Sequence, residues 1–208
     1  MVEVTGQIEA VRREVGRQRA DGADRRVLTL TQDLPASPDE LWAALTTPDR
    51  LAAWFLPVSG TLREGGRFQL EGNAGGTIES CVPPSSLAVT WELGDATGRV
   101  LVTVGPAGDG ARLRLEHHVD ADDATWADYG PGATGVGWDL SLLGLVLHLS
   151  PEAAESWDGD DDGRWFVELS GEAWHAADVA GGADTREARA RANRTIEAYV
   201  AGEDEDGG

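Results

Sequence analysis

Residues 130–149 read GPGATGVGWDLSLLGLVLHL, and this stretch decides the fold class. After Gly130 and Pro131, apolar residues recur at the three- and four-residue intervals of a helix. They are Val136, Trp138, Leu142, Leu145, Val146 and Leu149. A helix that is apolar over much of its circumference must be covered on several sides. The stretch therefore predicts a long helix that is packed inside the protein.

The segment at 58–119 supplies a cover for this helix. Short alternating runs are separated by clusters of Gly, Pro, Asn and Ser, which is typical of a meander of about six antiparallel strands. Apolar residues share one parity within each run, so one face of the sheet is apolar. They are Phe68 and Leu70; Leu87, Val89 and Trp91; Val100, Val102 and Val104; Leu113, Leu115 and His117. A curved antiparallel sheet wrapped around a long helix is an α+β fold.

The preceding segment predicts one more strand and two short helices. The alternating run RRVLTLTQDL at 25–34 indicates a half-buried strand. Ser37, Pro38 and Glu40 have the spacing of a capping box, which predicts a helix over 38–45. A second helix is expected to start at Thr47-Pro48 and to end near the bulky cluster at 54–57.

The two ends of the chain are expected to add helices to this domain. Val4, Ile8, Val11 and Val15 predict an N-terminal amphipathic helix with Arg12, Arg13 and Arg17 on its solvent side. We therefore divide the chain into an N-terminal helix and linker (1–24), the main domain (25–150), a C-terminal helical extension (151–201) and a disordered acidic tail (202–208). An exposed acidic loop is expected at 152–162.

Charge and cysteine content narrow the partners. The formal net charge is −20, which disfavours nucleic acid and anionic membrane surfaces. No apolar run reaches the ~20 residues of a membrane span, and the N-terminal residues do not resemble a signal peptide, so we expect a cytoplasmic protein. The single cysteine, Cys81, rules out a disulfide within the chain and is expected to be an inert thiol.

Several segments resemble a known family. They are DELWAALT at 39–46, WFLP at 54–57, EGNAGG at 71–76 and VTW at 89–91. Their order is similar to that of the START-like (SRPBCC) superfamily, in the branch named after the activator of the ninety-kilodalton heat-shock protein ATPase. The resemblance covers residues 25–149 and implies the helix-grip fold. The superfamily includes lipid carriers, hormone receptors, polyketide cyclases and co-chaperones, so the fold alone does not assign the function.

The chain lacks the common catalytic motifs. It has no Gly-x-Ser-x-Gly elbow and no phosphate-binding loop. His117 and His118 are adjacent on a strand and point to opposite faces, so they cannot chelate one metal together. A site built from His117, His148 and Glu71 is the remaining metal hypothesis, and ordinary core histidines are favoured over it. No metal and no cofactor are therefore predicted.

Five side chains are expected to line a ligand pocket between the sheet and the helix: Trp54, Phe55, Trp91, His117 and Trp138. The leading prediction is a protein that binds a small hydrophobic or aromatic molecule there. The first alternative is a polyketide cyclase-like or hydratase-like enzyme that uses His117 as acid and base, with Glu71 or Asp139 beside it. The second alternative is a co-chaperone-type interaction module.

The glycines at the start of the long helix need an explanation. Gly132, Gly135 and Gly137 each cost about 1 kcal/mol relative to alanine in a helix. Close approach of the helix to the sheet would offset this cost, and so would a pocket mouth that opens by bending there.

Overall fold

The computed structural model describes residues 3–20, 22–121, 123–150 and 159–206. The helices are α1 (Val4–Ala10), α2 (Pro38–Thr46), α3 (Pro48–Trp54), α4 (Ala124–Tyr129), α5 (Gly132–Leu149), α6 (Gly159–Ala180) and α7 (Thr185–Asp206). The strands are β1 (Arg12–Ala20), β2 (Ala23–Leu34), β3 (Val58–Gly60), β4 (Arg67–Leu70), β5 (Gly75–Val82), β6 (Ser86–Leu93), β7 (Ala96–Ala107) and β8 (Gly110–Asp120).

The strands form one antiparallel sheet in the order β1-β2-β8-β7-β6-β5-β4-β3. Strands β3 to β8 are consecutive neighbours, as predicted for the meander at 58–119. The apolar parities face one side, where Leu28, Val100 and Leu113 are buried together with Val136 and Leu145 of α5. We call this side the inner face of the sheet. The predicted α+β helix-grip fold is confirmed.

The first turn of α2 is held by its own capping box. Ser37 Oγ accepts a hydrogen bond from the Glu40 backbone N–H at 3.3 Å, and Glu40 Oε2 accepts one from the Ser37 backbone N–H at 2.9 Å. These bonds satisfy two groups that a helix start leaves unpaired. The sequence pattern at this position therefore predicted both the helix and its first residue.

The N-terminal segment differs from the prediction. Only Val4–Ala10 is helical, and residues 12–20 form β1, which pairs with β2 along its whole length. Val11 and Val15 are four residues apart, a spacing that suits one helical turn and also two strand repeats, so it cannot separate the two structures. The dipeptide Asp-Gly at 21–22 does distinguish a strand from a helix here, because Asp-Gly between two runs is typical of a tight β-hairpin.

The placement of Arg13 on the solvent side is also wrong. In the strand it lies on the same face as Val11 and Val15, and its side chain is buried against Asp139 of α5. A buried guanidinium needs a charge partner, and the sequence pattern gave no indication of one.

The C-terminal helices cover the side of α5 that faces away from the sheet. A Cβ atom at Gly135 would lie 2.2 Å from Trp174 Cε2 of α6, and one at Gly132 would lie 2.9 Å from Thr195 Oγ1 of α7. The glycines therefore permit close approach of α5 to these two helices. For Gly132 and Gly135, the expectation that the glycines permit close approach of the helix to the sheet is therefore wrong.

The predicted C-terminal boundaries need two changes. The structure has α7 continuing to Asp206, where a disordered tail was expected from Gly202; residues 207–208 lie outside the described residues. The acidic loop expected at 152–162 lies mostly outside them too, and its last residues, from Gly159, belong to α6.

In the described part of the chain, α5 is the one helix whose length and composition would allow it to cross a membrane. Its residues Val136, Leu142 and Leu145 are part of the main core, and Leu143 packs with Val4, Ile8 and Phe166 in a second cluster. Cover on both sides is typical of the central helix of a soluble domain.

Candidate functional site

A cavity of about 200 Å³ lies between the inner face of the sheet and helices α2, α3 and α5. We call it the inner cavity. Its sheet wall includes Ile78, Val89, Val100, Val102, Leu113 and Leu115. These positions follow from strand parity, since alternate residues point to the same side. The cavity is lined mainly by aliphatic and aromatic side chains, which suits an apolar occupant.

A second cavity, of about 320 Å³, lies further along the same face of the sheet. We call it the outer cavity. Its lining is more polar and includes Asn73, Thr97, His117, Thr125 and Thr134. Gly98 of β7 forms part of its wall, opposite Trp91 in the strand register. Hydroxyl, amide and imidazole groups of this kind can donate hydrogen bonds to a ligand.

Aromatic rings separate the two cavities, and Phe55, Trp91 and Trp138 line both of them. The centroids of Trp91 and Trp138 are 5.2 Å apart, and those of Phe55 and Trp138 are 6.2 Å apart. His117 completes the group at 5.9 Å from each tryptophan. Such centroid distances are those of favourable aromatic contacts. We call Phe55, Trp91, His117 and Trp138 the aromatic partition.

The structure thus brings together the five residues that the sequence predicted for a pocket. Trp54 stacks on Phe55 with a centroid distance of 5.5 Å, and its Nε1 donates a hydrogen bond to the Ala44 carbonyl at 3.0 Å. Trp54 lines the inner cavity, whereas His117 lines the outer one. The pocket is therefore divided where the sequence suggested a single space.

Trp138 and His117 are joined by a hydrogen bond from Trp138 Nε1 to His117 Nδ1, 3.0 Å long. An indole N–H can only donate, so Nδ1 must accept and the imidazole proton must sit on Nε2. Burial, together with the nearby His118, lowers the pKa of His117 to about 4. His117 is consequently a neutral hydrogen-bond donor at pH 7.

Neither carboxylate that the sequence suggested as a partner reaches His117. Glu71 lies in the exposed turn after β4. Asp139 points to the other side of α5, where its Oδ2 accepts hydrogen bonds from Ser170 Oγ at 2.6 Å and Trp174 Nε1 at 2.9 Å. Both expectations are therefore wrong. Asp139 follows Trp138 by about 100° around the helix and so faces α6 rather than His117.

Asp139 is instead the centre of a buried polar cluster. Arg13 makes a bidentate ion pair with it, with N···O distances of 2.9 and 3.0 Å. Burial raises the pKa of Asp139, and the charge of Arg13 opposes that rise. The remaining Arg13 nitrogen donates to the carbonyls of Ile8 and Val11. This cluster ties β1, α5 and α6 together and is separate from both cavities.

His118 points to the opposite face of the sheet, as strand parity predicted. Its Nε2 lies 3.3 Å from Glu116 Oε2. Burial lowers the pKa of His118, while the hydrogen bond to Glu116 acts in the opposite direction. No group of three or more His, Cys, Asp or Glu side chains suited to a metal ion occurs among the residues that the structure describes.

Of the polar residues that line the outer cavity, the sequence predicted His117 and missed the hydroxyl and amide side chains. Thr134, Trp138 and Ser141 recur at four- and three-residue spacing and share one face of α5, and this spacing could have revealed them. Phe68 was assigned to the core only, yet it lines the inner cavity and lies 6.4 Å from the Trp91 ring.

Comparison with known proteins gives the family. The sequence model of the family described as activator of Hsp90 ATPase homolog 1-like protein matches residues 35–150, more than half of the chain. No curated protein matches. The crystal structure of CalU16 from Micromonospora echinospora is 33% identical, covers 81% of this chain and 98% of that chain, and has a TM-score of 0.66. Its solution structure gives 32% identity, 83% and 97% coverage and a TM-score of 0.69.

A more distant likeness concerns the fold alone. The solution structure of the Aha1 dimer from Colwellia psychrerythraea is 17% identical, covers 59% of this chain and 95% of that chain, and has a TM-score of 0.50. The family match begins just before α2 and ends with α5, so it contains every element that lines the two cavities. The chain therefore belongs to the family of proteins similar to activator of Hsp90 ATPase homolog 1, within the START-like (SRPBCC) superfamily.

Proposed function

We propose that this protein binds a small hydrophobic or aromatic molecule in the inner cavity. The observation that carries this proposal is an apolar space of about 200 Å³ between the sheet and α5. An apolar cavity of about 150 Å³ is enough to bind benzene, so the inner cavity has room for one or two rings. Removing apolar ligand surface from water contributes about 25 cal/mol per Å² toward binding.

We further propose that the protein acts in the cytoplasm and without a cofactor. A cytoplasmic location fits a fold that is found in soluble domains. The net charge of −20 would repel phosphate backbones and anionic lipid surfaces. We therefore propose a small uncharged molecule as the partner, rather than nucleic acid or a membrane.

A cyclase-like or hydratase-like enzyme is less well supported. A histidine base is usually oriented by a carboxylate or a backbone carbonyl, and no carboxylate bonds to His117 in the described part of the chain. The low pKa of His117, about 4, also makes it a weak base at neutral pH.

The family name suggests a co-chaperone role as the second alternative. Such a role would require an exposed apolar surface on which the chaperone could dock. The large apolar side chains that are exposed among the described residues lie on four separate segments. They are Leu62 before β4, Val82 at the end of β5, Leu93 at the end of β6 and Trp165 in α6. Leu62 lines the inner cavity and Leu93 lines the outer one, so these two side chains belong with the cavities rather than with a separate docking surface.

The test uses the neutral fluorescent probe 2-(dimethylamino)naphthalene, which has two fused rings, and a variant that fills the inner cavity. Val102 lines the inner cavity. The next residue, Thr103, is exposed on the opposite face of the sheet, away from both cavities. We expect Val102→Phe to weaken probe binding at least tenfold, because its ring occupies the apolar space. Thr103→Phe, the matched control, should bind as the parent protein does. The proposal would be refuted if the probe did not bind the parent protein, or if the two variants bound it equally.

A further inference from the structure

The two cavities occupy one continuous strip of the sheet. Along β6 the inward residues are Val89, Trp91 and Leu93, and along β8 they are Leu115, His117 and Val119. Val89 and Leu115 line the inner cavity, whereas Leu93 and Val119 line the outer one. Trp91 and His117 lie on neighbouring rungs, diagonally across β7, and their ring centroids meet between the cavities at 5.9 Å. What divides the strip is one layer of rings rather than a layer of backbone.

Of the rings in the partition, Phe55 is the one that is held neither by a side-chain hydrogen bond nor by a place in a paired strand. It follows the last residue of α3, and its ring stacks on those of Trp54 and Trp138. Trp138 is held by its hydrogen bond to His117, and Trp91 sits within a paired strand. Phe55 lines both cavities, so a rotation of its ring would change the partition between them without breaking a side-chain hydrogen bond.

The proton of His117 is directed toward the outer cavity. Since Nδ1 accepts from Trp138, Nε2 carries the proton. A Cβ atom at Gly98 would lie 3.1 Å from Nε2, so the missing side chain of this glycine leaves Nε2 uncovered at the cavity wall. No hydrogen bond from Nε2 to a protein group is found within the described ranges. Nε2 is not among the fully buried unpaired atoms of the described residues, so it keeps access to the outer cavity, where a ligand oxygen can replace water as its acceptor.

Charge selects the kind of oxygen. Among the described residues that line the outer cavity, one is a carboxylate, Asp123, whose Oδ1 accepts a hydrogen bond from the Trp126 backbone N–H at 2.8 Å. His117 is neutral, and none of these lining residues carries a positive charge that could balance an anion. A carbonyl or ether oxygen without charge therefore suits Nε2–H better than a carboxylate or a phosphate does.

We propose that the two cavities are one bipartite site for a flat, uncharged molecule, with its apolar rings in the inner cavity and a hydrogen-bond-accepting oxygen on His117 Nε2 in the outer cavity. This inference rests on the proposed function, since it assumes that the inner cavity holds the apolar part. It adds the ligand class, an aryl ketone, quinone or similar carbonyl compound, and it makes His117 the residue that determines specificity.

The test compares two naphthalene probes that differ only at the oxygen. One is 6-propionyl-2-(dimethylamino)naphthalene, and the other is 2-(dimethylamino)-6-propylnaphthalene, which replaces the carbonyl with a methylene. Dissociation constants are measured for the parent protein and for His117→Phe. We expect the affinity ratio of ketone to propyl probe to fall about fivefold to tenfold in the variant, because the ketone loses its donor. His118→Phe, with the same change one residue along and on the other face, should keep the parent ratio.

The outcomes separate the two proposals. If 2-(dimethylamino)naphthalene and the propyl probe bind but the ratio is the same in the parent and in His117→Phe, the bipartite site is overturned and the proposed function stands. If no probe binds the parent, the proposed function itself fails. If His117→Phe does not fold, nitrogen NMR of the parent decides: the Nε2 resonance of His117 must shift with the ketone probe and not with the propyl probe, and equal shifts would refute the assignment.

Discussion

The neutral state of His117 predicts a loss of stability in mild acid. Burial lowers the pKa of His117 to about 4 from its ordinary value of 6.5. The unfolded chain therefore takes up a proton below pH 6.5, while the folded protein does not until about pH 4. The contribution to stability is fully present above pH 6.5 and is lost as the pH falls from 6.5 toward 4.

The size of this effect follows from the difference between the two pKa values. A difference of one pKa unit corresponds to about 1.4 kcal/mol, so the full effect is roughly 3 kcal/mol. At pH 5 the unfolded imidazole is almost fully protonated and the folded one is not, which gives a loss of about 2 kcal/mol. Other groups add their own pH dependence, so the contribution of His117 must be measured as a difference between proteins.

His117→Gln is the appropriate variant because glutamine does not titrate and its Oε1 can still accept from Trp138. Urea unfolding followed by tryptophan fluorescence gives the free energy of unfolding at pH 7 and pH 5. We expect the variant to lose about 2 kcal/mol less than the parent over this interval. His118→Gln, on the other face, should change the interval less, since Glu116 offsets the burial of His118. An unchanged pH dependence in His117→Gln would refute the neutral buried imidazole.

Two further predictions concern packing around α5. Asp139→Ala should reduce the free energy of unfolding by about 3–5 kcal/mol in urea, because it leaves the Arg13 guanidinium buried without its partner; a loss below 1 kcal/mol would contradict the buried pair. Gly135→Ala should cost about 1–3 kcal/mol, since its methyl group would meet Trp174 at 2.2 Å. Gly105→Ala has open space and should stay within about 0.5 kcal/mol in the same assay, and equal effects of the two alanines would disprove the close contact.

Strand parity accounts for much of what the sequence predicted. It placed Trp91 and His117 on the inner face because they continue the alternation of Val89 and Leu115, and a sheet buried on one face enforces that alternation. Helical spacing placed Trp138 inward for the same reason. Four of the five predicted pocket residues belong to regular elements whose apolar side is clear, whereas Phe55 follows α3 and was predicted from the bulky cluster at 54–57.

Long-range pairing is what the sequence could not predict. Arg13 and Asp139 are 126 residues apart, and nothing local at either position reveals that the Arg13 side chain of β1 reaches Asp139 of α5. The partition has the same origin, because its closure depends on how far α3 brings Phe55 toward Trp138. The volume of a cavity is the small difference between the volume that the fold encloses and the volume that its side chains fill. A shift of one ring therefore decides whether there is one cavity or two.

The hydrogen bond between Trp138 and His117 also bears on the choice between binding and catalysis. A general base needs a free lone pair on an imidazole nitrogen. In this protein the lone pair of Nδ1 is engaged by the indole N–H, and Nε2 carries the proton. To act as a base, His117 would have to lose Trp138 as its partner, which would leave a buried indole N–H unsatisfied at a cost of about 1–3 kcal/mol. To donate a hydrogen bond to a ligand oxygen, it needs no rearrangement, so the pair as folded favours holding a molecule over converting it.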